Sequence, residues 1–312
     1  MQKAYIAVIG LGAIGTPLSH LLWRKYKDDF VLLASNEIAK DLKKEPIYIN
    51  GELFSPKIIS KKSELEKPIK QVYICVKNYH LESAYNSLKE LIDSETILLP
   101  LQNGVYSYHY MSEMFPQNTV LEGFAQGPNT RRVENGFEYQ KSGAYHFGTS
   151  KTDCVEKAHE IFETLSGVGI PCYWEKDIKH AIWKKLMLNV AGNAMTALTE
   201  IDYAMFKHSK EAQKICRIIM REFKFVAAIE DILITEADIE DVMNYFLSYD
   251  KSKRTSMLED ALNKRMTENE YIAGYIKRLA EKNAVSVPFT DMLYSLMKIK
   301  EEVYLGILKA EN

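Results

Sequence analysis

The chain has 312 residues, a formal net charge of −2, and 26% charged against 46% apolar residues. This length allows two ordinary domains with ample buried core, and the composition is typical of a globular cytoplasmic protein. The near-neutral charge gives no electrostatic reason to expect binding to nucleic acid or to an anionic membrane. The four cysteines show no C-x-x-C spacing and the histidines form no metal-ligand pattern, so we expect reduced thiols and no metal.

The first element lies in an uncharged stretch, AYIAVIGLGAIGTPLSHLLW, which runs from Ala4 to Trp23. About 20 apolar residues would suffice for a membrane span, but three glycines and a proline interrupt this stretch. The run YIAVI is typical of a buried strand, and Pro17 suits the first turn of a helix. We therefore predict a strand, a tight turn and a helix instead of a membrane span or an export signal.

Between that strand and that helix, Gly10, Gly12 and Gly15 are spaced as G-x-G-x-x-G. In a Rossmann unit the first glycine permits the tight turn, and the second lets the backbone approach a pyrophosphate. The third lets the helix pack closely on the strand, while the helix N-terminus supplies N–H donors. This context favours dinucleotide binding by the turn, including Ala13 and Ile14, over a purely structural turn.

The second predicted strand, 30–34, ends where many dinucleotide-binding folds distinguish NAD from NADP. An Asp or Glu there would bind the ribose 2′-OH of NAD, but this chain has Ser35 and Asn36. Both side chains could hydrogen-bond a 2′-phosphate, and Lys40 follows closely. These residues leave the choice between the two cofactors open.

The remaining elements divide the chain into two parts. Strands are predicted at 71–76, 96–101, 120–123, 144–148 and 170–173, helices at 16–26, 80–91 and 154–165, and a hairpin-bearing edge within 123–148. Such alternation is typical of a mostly parallel, doubly wound sheet. From Lys176 onwards helical periodicity replaces it. We predict an α/β, Rossmann-type dinucleotide-binding domain over residues 1–174 and an all-helical substrate-binding and catalytic domain over residues 175–312.

Polar residues follow two of the predicted strands. Lys77 follows VYICV, and Gln102-Asn103-Gly104 follows TILLPL. Ligands of open α/β sheets bind outside the carboxyl ends of the strands, so both positions lie at the appropriate edge. A solvated lysine and an ordinary turn would explain these residues equally well.

In the helical half, the run WKKLMLNVAGN places Lys185, Asn189 and Asn193 at four-residue intervals. On a continuous α-helix they would share one face within an arc of roughly 80°. Apolar neighbours predict that this helix is largely buried, and buried polar groups need partners. A ligand pocket therefore explains these residues better than a structural network or a solvated face. A lysine there could protonate a carbonyl under reduction, and the amides could orient carboxylate and hydroxyl groups.

Together these motifs resemble those of the ketopantoate reductases (2-dehydropantoate 2-reductases), and the resemblance extends over nearly the whole chain. It includes the glycine turn, Lys77, the Q-N-G motif and the E-G-F-A-Q-G-P run at 122–128. In the helical half, W-x-K-L-x-x-N-x-x-x-N begins at Trp183. The motifs S-M-x-x-D and T-E-x-x-x-x-x-G begin at Ser256 and Thr267, and V-P follows at 287–288.

The resemblance implies reduction of 2-dehydropantoate to pantoate with NADPH, a step of pantothenate and coenzyme A synthesis. Lys185 would be the general acid, and Glu268 would assist near the lysine or the cofactor. Implied substrate contacts are Asn103, Asn189, Asn193 and Ser256, and implied cofactor contacts are Gly10, Gly12, Ala13, Ile14, Gly15, Ser35, Lys77, Asn103 and Glu268. Without the resemblance, Ser256 would be interpreted as a helix N-cap and Glu268 as a solvated charge.

One departure from the family keeps the cofactor choice open. The family commonly has an arginine that binds the 2′-phosphate where this chain has Ser35, so NADP is the implied cofactor and NAD the alternative. Two other functions also remain. One is a related two-domain oxidoreductase acting on another 2-keto or 2-hydroxy acid, and the other is a non-enzymatic dinucleotide sensor, which would not need Lys185. We expect a cytoplasmic monomer or homodimer with a small-molecule 2-keto acid as substrate.

Overall fold

The structure, a computed structural model, describes residues 4–248 and 253–308. The chain divides into two compact units, Met1–Ile178 and Lys179–Asn312. The assignment of dinucleotide binding to one part and of substrate binding to the other remains a prediction. Within the described residues, no helix combines the length and the hydrophobicity that crossing a membrane requires.

The first unit is built on a parallel sheet. Its strands are β1 (Tyr5–Ile9), β2 (Phe30–Leu33), β3 (Ile47–Ile49), β4 (Glu52–Phe54), β5 (Lys57–Ile59), β6 (Ile69–Ile74), β7 (Ile97–Pro100), β8 (Thr119–Val120), β9 (Glu122–Gln126), β10 (Asn129–Val133), β11 (Gly136–Lys141), β12 (Ala144–Gly148) and β13 (Cys172–Trp174). Its helices are α1 (Gly15–Tyr26), α2 (Asn36–Leu42), α3 (Leu81–Leu88), α4 (Tyr106–Met114) and α5 (Val155–Ser166). Six strands form the main sheet in the order β5-β2-β1-β6-β7-β8, and every neighbouring pair is parallel. The predicted Rossmann-type α/β class is confirmed.

Strand β1 marks the point where the order of the sheet reverses, because β2 lies on one side of it and β6 on the other. Its side chains alternate between two apolar cores. Val8 packs in one core with Leu18 and Leu22 of α1, whereas Ala7 and Ile9 belong to the other core. In open α/β sheets the crevice outside such a reversal point is the usual ligand site. The turn after β1 and the segments after β6 and β7 therefore occupy the appropriate edge.

A second sheet, in the order β10-β11-β3-β4, was only partly expected. The hairpin of β10 and β11 falls within the predicted hairpin-bearing segment, but β3 and β4 have three residues each and carry no periodic signal. The Asn50 side chain secures their pairing, since its Nδ2 donates to Tyr139 O at 3.0 Å and its Oδ1 accepts from Tyr139 N at 2.8 Å. This contact joins parts of the chain that are 89 residues apart.

The second unit is helical, as predicted. Its helices are α6 (Ile178–Leu188), which begins at the last residue of the first unit, α7 (Ala194–Thr199), α8 (Tyr203–His208), α9 (Lys210–Ala227), α10 (Glu236–Leu247), α11 (Ser256–Leu262), α12 (Ala273–Lys282) and α13 (Pro288–Tyr304). One feature differs from the expectation of a continuous α-helix through residues 185–193. A π-helical segment, Asn189–Asn193, separates α6 from α7.

Close packing accompanies the π-helical segment. A Cβ on Gly192 would lie 2.1 Å from the ring of Phe246, so only glycine allows α10 to approach this closely. The Cys216 thiol of α9 donates to Ala191 O at 3.2 Å and thereby provides a partner for one of the carbonyl groups of the segment. Single π-turns within α-helices occur frequently at functional sites. This one contains both candidate substrate-binding asparagines.

Candidate active site

The three glycines of the turn after β1 have different surroundings. Gly10 has φ = +100°, and a Cβ there would lie 2.8 Å from Val76 N. A Cβ on Gly15 would lie 1.8 Å from Gly10 O, so glycine is needed for α1 to pack on the turn. Among the described residues other than its two chain neighbours, the nearest atom to a Cβ on Gly12 would be Cys75 O, at 3.9 Å. Gly12 thus leaves open space beside the backbone, which is the feature that a pyrophosphate requires.

The rest of the turn is held through its carbonyl groups. Thr130 Oγ1 donates to Ala13 O at 2.8 Å, and the Tyr145 hydroxyl donates to Ile14 O at 3.3 Å. Within the described residues, Ile14 at the N-cap of α1 makes no side-chain cap hydrogen bond, and the first turn of the helix contains no acidic residue. Backbone N–H groups at such a helix start favour an anion both as donors and through the helix dipole. Residues 10–15 therefore fit a dinucleotide phosphate.

The segments after β6 and β7 are joined by a hydrogen bond at the same edge of the sheet. Asn78 Nδ2 donates to Asn103 O at 3.1 Å, so the residue after Lys77 contacts the Q-N-G motif directly. Gln102 is buried, and neither atom of its amide has a hydrogen-bond partner within the described residues. In the sequence, Gln102 stands out only as part of the Q-N-G motif. Its position directly after a predicted buried strand is the feature from which a buried polar side chain at this edge could have been predicted.

Ser35 has a structural contact of its own. It is the N-cap residue of α2, where its Oγ accepts a hydrogen bond from Ile38 N at 3.4 Å. Lys40 lies exposed on the same helix. Ser35 and Lys40 thus offer a hydroxyl and an ammonium donor at the start of α2, and neither has the planar pair of donors that an arginine presents.

In the second unit, the two candidate asparagines contact each other across the π-helical segment. Asn193 Nδ2 donates to Asn189 Oδ1 at 3.4 Å, and both side chains are buried. Asn189 Nδ2 has no hydrogen-bond partner within the described residues. Leaving a buried amide donor unpaired costs about 1–3 kcal/mol. A ligand oxygen would relieve this cost.

Lys185 of α6 and Glu268 interact electrostatically. Burial lowers the pKa of Lys185 to about 7, and the negative charge of Glu268 opposes that shift. Glu268 is only 5% exposed and directly precedes a 3₁₀ turn, Asn269–Tyr271. The interpretation of Glu268 as a solvated helix charge is therefore wrong. An amine with a pKa near neutrality can donate a proton readily at physiological pH.

Ser256 is not the N-cap that its sequence context indicated. The N-cap of α11 is Thr255, whose Oγ1 accepts from Leu258 N at 3.2 Å. Thr255 Oγ1 also lies 2.7 Å from Thr196 Oγ1, and Thr196 donates to Asn193 O at 3.0 Å. This chain of contacts brings the start of α11, where Ser256 lies exposed as the first residue, to the π-helical segment.

Helix α13 holds the backbone on both sides of Glu268. Glu301 Oε1 accepts from Thr267 N at 2.6 Å, and Tyr294 O accepts from Asn269 Nδ2 at 3.0 Å. Glu301 is buried although it is a carboxylate. The sequence does not indicate this burial, because a charged residue in an amphipathic helix is usually solvated. Glu301 therefore fixes the backbone next to Glu268, and we expect it to position that residue.

We expect Glu301→Ala to lower the free energy of unfolding by about 1–3 kcal/mol, because the buried Thr267 N–H loses its acceptor. Turnover should fall about tenfold, since Glu268 would be held less firmly. Glu302→Ala, at the half-exposed neighbouring position, is the matched control and should change neither quantity appreciably. Urea unfolding and steady-state kinetics measure both effects. Equal behaviour of the two variants would contradict the positioning role.

Fold and site together define a class of protein: a Rossmann-type unit with a glycine-rich turn that has room for a phosphate, followed by a helical unit with a desolvated lysine. Two sequence models match the chain, Ketopantoate reductase PanE/ApbA over residues 6–152 and Ketopantoate reductase PanE/ApbA C terminal over residues 177–301. The chain belongs to the ketopantoate reductase family and is an oxidoreductase of that family.

Individual relatives are distant in sequence and similar in fold. The 2-dehydropantoate 2-reductase of Yersinia pestis is 26% identical over 264 residues, which is 83% of each chain. The ternary structure of D-mandelate dehydrogenase with NADH and anilino(oxo)acetate has a TM-score of 0.81 at 22% identity, covering 96% of this chain and all of that one. A dimeric ketopantoate reductase from Staphylococcus aureus has a TM-score of 0.77 at 21% identity, covering 96% and 99% of the two chains.

Proposed function

We propose that the protein reduces 2-dehydropantoate to pantoate with a nicotinamide dinucleotide as hydride donor. The observation that supports this most strongly is Lys185, whose pKa of about 7 lies near neutrality beside the buried carboxylate of Glu268. Membership of the ketopantoate reductase family supports the same substrate.

When bound, a reduced nicotinamide would supply the hydride for C2 of the keto acid. Lys185 Nζ donates a proton to the carbonyl oxygen as negative charge develops there, so the neutral hydroxyl forms without an alkoxide. The unpartnered Asn189 Nδ2 donates to a substrate oxygen, and Asn193 holds the Asn189 amide in place. Glu268 keeps a larger fraction of Lys185 protonated, because its negative charge raises the lysine pKa. Asn103 and Ser256 complete the proposed substrate contacts.

For the cofactor, we propose residues 10–15 as the pyrophosphate site, and Ser35, Lys77, Asn103 and Glu268 as further contacts. The open space at Gly12 and the uncapped start of α1 support the first part. The stretch Ala34-Ser35-Asn36 contains neither an arginine nor an acid, so we propose a modest preference for NADPH with appreciable use of NADH. One structural relative is described with NADH bound, which supports the second cofactor.

Ser35→Arg tests the cofactor proposal. A guanidinium can contact a 2′-phosphate through two hydrogen bonds, and charge-assisted contacts are about twice as strong as neutral ones. The ratio of kcat/KM for NADPH to that for NADH should therefore rise about tenfold. Ser35→Ala is the control, because it loses the same α2 cap without adding a cation, and it should leave the ratio nearly unchanged. A native enzyme that favours NADH would contradict the proposed preference.

The substrate proposal is tested by following NADPH and NADH oxidation with a panel of 2-keto acids. We expect 2-dehydropantoate to have the highest kcat/KM, ahead of 2-ketoisovalerate and pyruvate. Phenylglyoxylate represents the second candidate function, reduction of an aryl 2-keto acid, which the similarity to a D-mandelate dehydrogenase fold favours. A higher kcat/KM with phenylglyoxylate would establish that second function. Absence of oxidation with every acid, together with intact cofactor binding, would indicate a dinucleotide sensor.

Of the two oligomeric states that the sequence allows, we propose the homodimer. The Staphylococcus aureus relative is described as dimeric, and it shares the fold over nearly the whole length of both chains.

A further inference from the structure

Strands β2 and β5 are neighbours in the main sheet and end at the same edge, because they run parallel. Leu33 of β2 lies opposite Ile59 of β5, and Ala34 N donates to Ile59 O at 3.1 Å. Two residues onward along each strand, Ser35 and Lys61 both have an extended backbone, which brings them level with each other. Neighbouring strands are about 4.8 Å apart. Lys61 therefore lies beside the position that directly follows the second strand.

The segment after β5 is held in place by Glu64. One oxygen of this carboxylate, Oε2, accepts hydrogen bonds from Ser60 N at 2.7 Å, from Ser60 Oγ at 3.3 Å and from Lys61 N at 3.3 Å. Glu64 belongs to a 3₁₀ turn, Lys62–Glu64, that begins directly after Lys61. The carboxylate is thus directed at backbone N–H groups. It fixes the position of Lys61 along the edge of the sheet, while the Lys61 side chain stays exposed.

The ammonium group of Lys61 differs from those of two other lysines on this side of the sheet. Lys57, at the start of β5, lies 2.5 Å from Glu66, and Lys67 pairs with Asp29. In the part of the chain that the structure describes, no carboxylate lies within ion-pair distance of Lys61. Its charge is therefore available to an anion that does not belong to the chain.

The end of the second strand of a Rossmann unit is the place where the adenosine ribose binds, and there NADP carries a phosphate where NAD carries a hydroxyl. Ser35 and Asn36 bring no positive charge to this place. Lys40 lies four residues into α2, roughly 6 Å further along that helix than Asn36. Lys61 comes from the adjacent strand end and carries a point charge on a flexible four-carbon stem, which suits a phosphate.

We propose that Lys61 binds the 2′-phosphate of NADP and is the main source of the preference for NADPH over NADH. The cation then comes from the strand beside β2 and not from residue 35. A single ammonium group lacks the paired donors of an arginine, so the preference is modest. This inference rests on the dinucleotide site proposed above and adds the residue that distinguishes the two forms of the dinucleotide.

Titrations of NADP⁺ and NAD⁺ into the full chain, followed by tryptophan fluorescence, test the proposal without any reaction. Lys61→Gln should raise the dissociation constant of NADP⁺ about tenfold and leave that of NAD⁺ nearly unchanged, because only NADP⁺ carries the 2′-phosphate. Lys61→Arg keeps the charge and should retain the wild-type affinity for NADP⁺. Lys57→Gln, at the other end of the same strand, is the matched control and should change neither constant. The pair 2′,5′-ADP and 5′-AMP should show the same difference.

Unchanged affinity of Lys61→Gln for NADP⁺, or an equal loss for NADP⁺ and NAD⁺, would overturn the role of Lys61 and leave the dinucleotide site in place. A larger loss of NADP⁺ affinity in Lys40→Gln than in Lys61→Gln would overturn it as well. A wild type that binds neither dinucleotide would overturn the proposed cofactor and the role of Lys61 together. Because Lys61 is exposed, the variants should fold, and circular dichroism verifies this.

Discussion

Replacement of Lys185 by methionine is expected to lower turnover by about 10²-fold or more, the usual contribution of a general acid. Methionine keeps the length of the side chain and much of its packing but cannot donate a proton. The matched control is Lys184→Met, because Lys184 is the adjacent lysine but pairs with Asp238 and Asp241 at 3.0 and 2.7 Å. We expect Lys184→Met to retain most of the activity. Near-normal turnover in folded Lys185→Met would exclude the lysine as the acid and make Glu268 the next candidate.

The pH dependence of kcat/KM provides an independent test of the same role. The pKa of Lys185 is lowered to about 7, so the ammonium form is abundant below that pH and is lost above it. A reductase that needs this proton should lose kcat/KM as the pH rises above about 7. Glu268 raises the pKa of Lys185, so Glu268→Gln should move the descending limb to lower pH. A limb that remains above pH 9 in the wild type would contradict the assignment.

As the pH rises above about 7, the free energy of unfolding should rise while kcat/KM falls. The pKa of Lys185 is lower in the folded protein than in the unfolded chain, so the unfolded state binds more protons between about pH 7 and pH 10. The free energy of unfolding contributed by this group therefore rises with pH in that range, and the cost of the buried charge is greatest below pH 7. Lys185→Met should raise the free energy of unfolding at pH 6 by about 2 kcal/mol. A loss of stability instead would indicate a structural lysine.

Gly12→Asp is expected to raise the dissociation constant of the dinucleotide about 100-fold or more while leaving the protein folded. The fold should tolerate the substitution, because the nearest described atom outside the two chain neighbours, Cys75 O, would lie 3.9 Å from a Cβ at this position. The added carboxylate would occupy the space proposed for the pyrophosphate and repel its negative charge. NADPH and NADH titrations followed by fluorescence measure the effect, with circular dichroism as the check on folding.

Gly12→Ala is the matched control for that experiment, since it adds a methyl group without charge. Its affinity should lie between those of the wild type and Gly12→Asp. Unchanged dinucleotide affinity in folded Gly12→Asp would contradict the assignment of the turn to the pyrophosphate.

Local patterns account for the parts of the fold that could be predicted. Strands β1 and β12 have the predicted bounds, and β2, β6 and β7 differ by at most two residues at either end, because each is a short apolar run bounded by turn residues. The pairing of β3 with β11 was not predictable, since it depends on contacts between residues far apart in sequence. The π-helical segment was missed for a similar reason, as its neighbours Phe246 and Cys216 belong to other helices.

In the candidate site, the residues that could be predicted from the sequence are those whose type is unusual at their position in a helix. The lysine and the two asparagines of the WKKLMLNVAGN run could be selected because polar side chains on an apolar helix need partners. The burial of Glu268 and the contact that Glu301 makes beside it could not be predicted, because both arise from the packing of α13 against the segment before α12. The N-cap is Thr255 and not Ser256, and the Thr255 hydroxyl also contacts Thr196 of α7, which lies far away in the sequence.

The most direct test of the central claim is an experimental structure with the oxidised cofactor and pantoate bound. We expect Lys185 Nζ to lie about 3 Å from the C2 hydroxyl oxygen of pantoate, within hydrogen-bonding distance of the atom that it protonates. Asn189 Nδ2 should donate to a pantoate oxygen, and the pyrophosphate should contact residues 10–15. A complex in which pantoate binds with its C2 hydroxyl out of reach of Lys185 would contradict the account.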